Sequence, residues 1–304
     1  MVEVEISGAF NANSVGMERS PFPLSFSVRD AGGGSWQMSA SAAQARELTD
    51  VFCRGANDTV LIVDVATNSF LDEDYEQWPT SSIATEQGVG FTVHPIGEWA
   101  TPADGLREEI VAVHRDSLPR FLDGWSPYEL SLIDVPTAPT QDQLDEIALV
   151  LGTADLDEPV LPRLKGSRFW YSGHDDCYVF LESTDPTMPA SLLSRLLALM
   201  AGSALVSDGT GPSAALPEPD IATLAPLLRE SPHWIGVIAA ASATLVTIHL
   251  SALPQRWRLG QGPPGHVDHT AVLDVTRGSW EIVPAADSAL QPAPPCERRT
   301  TYGT

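Results

Sequence analysis

Residues 234–250 read WIGVIAAASATLVTIHL, and how this apolar run folds decides what kind of molecule the chain builds. Its length approaches the roughly 20 residues that span a bilayer. Its composition argues otherwise. The run is rich in Ala, Ser and Thr and carries His249. Its second half, TLVTIHL, interleaves β-branched and aliphatic residues with polar ones, as a strand with one buried face does. The reading is two strands joined near Ala241–Ala243, not a membrane helix.

Working outward, strand text dominates both ends of the chain. VEVEISGAF (2–10) and FPLSFSV (22–28) alternate, and RDAGGGSWQM (29–38) reads as a Gly-rich hairpin tip entering a strand. DTVLIVDVA (58–66) is a continuous β-branched run, as expected of a strand buried on both faces. GVGFTVH (88–94), RFWYS (168–172), CYVFLES (177–183), HTAVLDV (269–275) and SWEIV (279–283) are further strands. Helices are expected at 39–55, capped by Ser39 or Ser41 and ended by Gly55. A second is expected within 102–124, with Leu106, Ile110, Val111 and Val113 on one face. Others are expected after Thr140, over 189–202 with a Leu stripe and Gly202 as cap, and over 221–230 around Pro226. Strands with a few helices, without strict alternation, predict an α+β fold: mixed or antiparallel sheets with packed helices. DVPTAPTQDQ (134–143) is the best linker candidate. It sets an N-terminal lobe at 1–135 and a C-terminal lobe at 140–287, either separate or forming one domain, with a Pro-rich flexible tail at 288–304. GSWQM (34–38) and GSWEI (278–282) echo each other and raise the option of two similar lobes.

The chain has 304 residues and is 43% hydrophobic, enough to build a core. Its net charge of -23 comes from 40 acids set against only 17 bases. Lys165 is the only lysine. A chain so short of bases is disfavoured as a partner of nucleic acid or of an anionic membrane, both of which call for Lys and Arg. A basic protein would be drawn in. The three cysteines, Cys53, Cys177 and Cys296, are sparse and odd in number, which points to a reducing compartment. The N-terminus has neither a basic nor an apolar signal region. The expected location is the cytoplasm, in a bacterial-type cell.

Reactive side chains gather in two places. YSGHDDCYVF (171–180) holds His174, Asp175, Asp176 and Cys177; HVDHT (266–270) holds His266, Asp268 and His269. His and Cys are zinc ligands, but a zinc site needs three or four that converge, and neither stretch supplies them alone. GHDD reads first as a hairpin loop, with Cys177, Val179 and Leu181 pointing to the core. His174, Asp175, Asp176, His266 and Asp268 make a catalytic site only if the fold joins the two loops. GQGPPG (260–265) has the spacing of a dinucleotide fingerprint without its strand–helix context. LDEDYEQW (71–78) concentrates Asp72, Glu73, Asp74 and Glu76 beside Tyr75 and Trp78. It lacks calcium-loop spacing. It fits an acidic patch whose aromatics anchor a basic partner. No Gly-x-Ser-x-Gly, His-Glu-x-x-His, Walker or Cys-x-x-Cys motif occurs.

The leading expectation is an acidic cytosolic protein that binds a basic partner protein. It would act as an immunity- or antitoxin-like inhibitor or as an adaptor or chaperone, through Asp72, Glu73, Asp74, Tyr75, Glu76 and Trp78, without enzyme activity, metal or cofactor. The alternatives are a hydrolase using the His/Asp residues and a structural or assembly subunit. The sequence leaves the oligomeric state open.

Overall fold

The computed structural model describes residues 24–41, 45–63, 80–95, 109–123, 129–152, 158–174, 178–207, 216–253 and 266–285. Within them the chain is α+β, with one antiparallel sheet of twelve strands and six α-helices. The strands are β1 (Leu24–Gly32), β2 (Ser35–Ser41), β3 (Thr59–Val63), β4 (Phe91–Pro95), β5 (Glu109–His114), β6 (Glu129–Val135), β7 (Phe169–His174), β8 (Tyr178–Ser183), β9 (His233–Ala241), β10 (Leu245–Ala252), β11 (His269–Asp274) and β12 (Ser279–Pro284). Across the sheet they run β12-β11-β10-β9-β1-β2-β8-β7-β6-β3-β5-β4.

The run at 234–250 is the hairpin of β9 and β10, turning at 242–244. Its alternation is plain in β10, where Val246, Ile248 and Leu250 are buried while Thr247 and His249 are half-exposed. The sheet interleaves the two parts of the chain. The N-terminal hairpin β1–β2 lies between β9 and β8, so Phe26 faces Trp234 across one boundary and Met38 faces Leu181 across the other. The connector 136–139 leads from β6 to α4. The two Gly-Ser-Trp segments hold unlike places: Trp36 sits on the central strand β2, and Trp280 on the edge strand β12.

The helices are α1 (Thr49–Gly55), α2 (Thr80–Glu86), α3 (Leu118–Asp123), α4 (Gln141–Gly152), α5 (Met188–Ser207) and α6 (Ile221–Glu230). One face of the sheet carries the larger core, with α1, α2, α3, α5 and α6 packed on it. α5 is its centrepiece. Leu192, Leu196, Leu197, Ala198 and Ala201 are fully enclosed, so apolar residues surround this helix instead of forming a stripe. Met188–Leu205 is long and apolar enough to span a membrane, but 94% of it is buried within the protein's own core. The opposite face has a smaller core. There Leu144, Ile147 and Ala148 of α4 cover Leu61, Ile133, Trp170 and Phe180.

Three helical expectations are corrected. The helix expected over 39–55 begins later, because Ser39 and Ser41 belong to β2 and a 3-10 turn at Ala45–Leu48 precedes α1. Ile110, Val111 and Val113 form the strand β5, where their β-branched side chains fill both faces between β3 and β4. Among the described residues of that region the α-helix is α3, with Pro119 in its first turn, where a missing N–H costs nothing. α5 runs past Gly202 to Ser207, because burying Ala204 and Leu205 outweighs the ~1 kcal/mol cost of an interior glycine. α4 is capped as its sequence suggests. Thr140 N–H donates to Gln143 Oε1 at 2.9 Å, and the Gln143 N–H returns to Thr140 Oγ1 at 3.4 Å.

Candidate functional site

The strand directions fix where the reactive residues fall. His174 ends β7, opposite Tyr178 and Glu129. His269 begins β11 at the other end of the sheet, level with Leu250. Six strand spacings separate β7 from β11, about 29 Å at ~4.8 Å each. The sheet therefore does not bring the His174 end together with the His266–His269 end. Asp175, Asp176 and Cys177 lie outside the described residues, as do Asp72, Glu73, Asp74, Tyr75, Glu76 and Trp78, the GQGPPG segment and the tail at 288–304.

The 266–269 segment laces β10 to β11. Asp268 accepts the Ala252 N–H at 2.7 Å and stands 3.3 Å from His266 Nε2. The Ser251 hydroxyl donates to the His266 carbonyl. His269 meets the Glu230 carboxylate at 2.7 Å and lies edge-on to Trp234 at 5.6 Å between centroids. His266, Asp268 and His269 are thus joined to α6 and β10 by local hydrogen bonds. No group of three or more His, Cys, Asp or Glu placed to hold a metal occurs among the described residues.

Two buried carboxylates that periodicity does not single out organise the far end of the sheet. Asp134, fully buried on β6, accepts backbone N–H groups from Asn57 at 2.7 Å, Arg168 at 2.6 Å and Phe169 at 2.9 Å. Its pKa is raised by burial, against the pull of those three donors and of the Arg168 charge. Glu182, fully buried on β8, accepts Val160 N–H at 2.7 Å and Leu161 N–H at 3.1 Å, and Gln37 Nε2 lies 3.3 Å away. Together they clamp both ends of segment 158–168. In sequence the signal would have been a lone acid within each apolar strand, SLIDV and YVFLES, since buried charge persists only where donors meet it.

The face that carries Glu182 and the smaller core continues across the other half of the sheet. Over β9–β12 and β1, no described helix packs on the side opposite the larger core. That face presents Ser25, Ser27, Val237, Thr247, His249, Thr270 and Val272, half-exposed, with Val283 exposed. An antiparallel sheet tolerates one watery face. Here that face is rich in hydroxyls and small apolar groups, and Ile235 and Ser251 are buried within it.

Cys53 is half-buried and donates to the Arg115 carbonyl at 3.4 Å. Its pKa is pushed up to about 11, first by burial and then by the Asp50 charge. Its thiol therefore stays protonated at neutral pH. Comparison with protein-family models, with curated proteins and with solved structures gave no match.

Proposed function

We propose that this chain is an acidic, cytosolic protein-binding protein that engages a basic partner protein, as an immunity- or antitoxin-like inhibitor or as an adaptor or chaperone. The observation that carries the reading is the charge and how its few bases are used. Arg54, Arg115, Arg195 and Arg277 pair with the protein's own carboxylates, Glu218, Asp58 and Asp50, and Asp274. With 40 acids to 17 bases, most carboxylates have no base to meet, and the long-range field stays negative. Such a field steers a cationic surface inward and raises its association rate. The β9–β12 face on which no described helix packs supplies half-exposed Val237, Thr247, His249, Thr270 and Val272 for contact. The acidic segment 72–78 supplies charge with Tyr75 and Trp78 as anchors.

The test is the association rate of the captured partner measured against ionic strength. Reversing Asp72, Glu73 and Asp74 to Lys is expected to slow association and flatten its salt dependence. An unchanged rate and slope in that variant would remove 72–78 from the mechanism.

A further inference from the structure

The helix α4 buries Leu144, Ile147 and Ala148 against the smaller core. On a helix, residues three, four and seven positions apart share a face, and on the side away from that core Asp142, Asp145, Glu146 and Leu149 stand in one row. Asp142, Glu146 and Leu149 are exposed, and Asp145 is half-exposed. Leu149 keeps 49% of its surface in water, a larger share than any other large hydrophobic side chain among the described residues. A single exposed leucine is ordinary on a protein surface. This one is flanked by three carboxylates, and none of the three pairs with a base among the described residues. Asp145 accepts from the neutral Gln141 side chain, Nε2 to Oδ1 at 2.8 Å.

The row borders a small cleft. Pro136, Pro139, Ile147 and Leu164 give it apolar walls, and Glu146 lines it too, so the acidic row and the apolar recess are continuous. The start of α4 is held by the exchange between Thr140 and Gln143, and an occupant would order little of the protein. We propose that this face of α4 docks a basic, leucine-bearing helix of the partner protein, its leucines on Leu149 and in the recess, its Lys or Arg on Asp142, Asp145 and Glu146. Charge complementarity selects the occupant. Three carboxylates against Lys165, the cation of the cleft lining, leave the face locally negative, and the net charge of -23 reinforces it. The same charge disfavours a second copy of this chain, which would bring its own carboxylates onto the row. Lys165 repels a basic occupant from the far wall and so keeps it on α4. The inference rests on the basic-partner reading and adds to 72–78 a second place of contact.

The test is fluorescence anisotropy at low salt, with the full chain and a fluorescein-labelled amphipathic peptide of Lys and Leu. Saturable binding is expected, weakened about tenfold by Asp142→Asn, Asp145→Asn and Glu146→Gln together. Leu149→Ser should weaken it about fivefold, and Lys165→Glu should tighten it. Neutralising three exposed acids elsewhere, Glu86→Gln, Asp123→Asn and Glu281→Gln, removes the same charge and should weaken binding no more than about twofold. Circular dichroism checks that the variants stay folded, which their surface positions favour. Equal weakening by the two triple variants, indifference to Leu149→Ser, or equal binding of the peptide with Ser in place of Leu overturns the α4 site and leaves the basic-partner reading standing. Failure of the unmodified chain to bind the peptide removes both.

Discussion

At the scale of single residues, buried polar groups set the local geometry, and their cost is repaid by backbone donors instead of counter-ions. Asp134 serves three N–H groups from two separate segments. Asp134→Ala would leave them buried and unsatisfied, and is expected to lower stability by at least about 2 kcal/mol in urea denaturation. Its titration has a definite sign. The folded pKa lies above the ordinary 3.8, so the native state holds the proton more tightly than the unfolded chain. The group's contribution to stability is therefore greatest in acid and declines as pH rises from about 4 through the raised folded value. Asp134→Asn should abolish that part of the pH slope; an identical slope in the variant would show that other groups produce it. Cys53 gives a second check. With its pKa pushed up to about 11, native Cys53 holds far less thiolate than an ordinary thiol. In a Cys177→Ser, Cys296→Ser background it should react with a thiol reagent at least about tenfold more slowly folded than unfolded. Equal rates would mean that the thiol is not shielded.

At the scale of elements, α5 is where packing is concentrated. Leu196→Ala or Leu197→Ala removes a fully enclosed side chain between the sheet and the other helices, with an expected loss of about 2–5 kcal/mol in denaturant titrations. A loss under 1 kcal/mol would mean that the helix is less tightly held than its burial indicates. The strand text was largely legible. Alternation in TLVTIHL gave β10, and the Gly-rich tip at 32–34 gave the β1–β2 hairpin. The failures have a shared physical cause. In EIVAVH both faces are buried, so neither period 2 nor period 3.6 stands out, and β-branching was the better guide. At Gly202 a local stop signal lost to burial further along the helix. The reactive-residue readings failed to converge for another reason. His174 and His266 look like companions in sequence, but the number of strands lying between them is set by sheet order, which no local pattern encodes. Asp134 and Glu182 were hidden in the same way, since their donors lie 21 to 145 residues away along the chain.

At the scale of the whole molecule, interleaving is the main consequence. β1 and β2 from the N-terminal part pair with β9 and β8 from the C-terminal part. Fragments divided within the connector 136–139 would each expose unpaired central strands. Separately, each is expected to lack a cooperative thermal transition; mixed, they should regain one. A fragment that melts cooperatively alone would contradict this. Charge acts at the same scale. The field of -23 belongs to the whole surface and not to one loop, so its effect should appear as salt-sensitive partner choice. The most direct measurement is a native pull-down from host lysate at low and high salt, with mass spectrometry of what is retained. A stoichiometric basic protein held at low salt and released at high salt is expected. An empty bait, or a retained partner that is acidic and indifferent to salt, would contradict it.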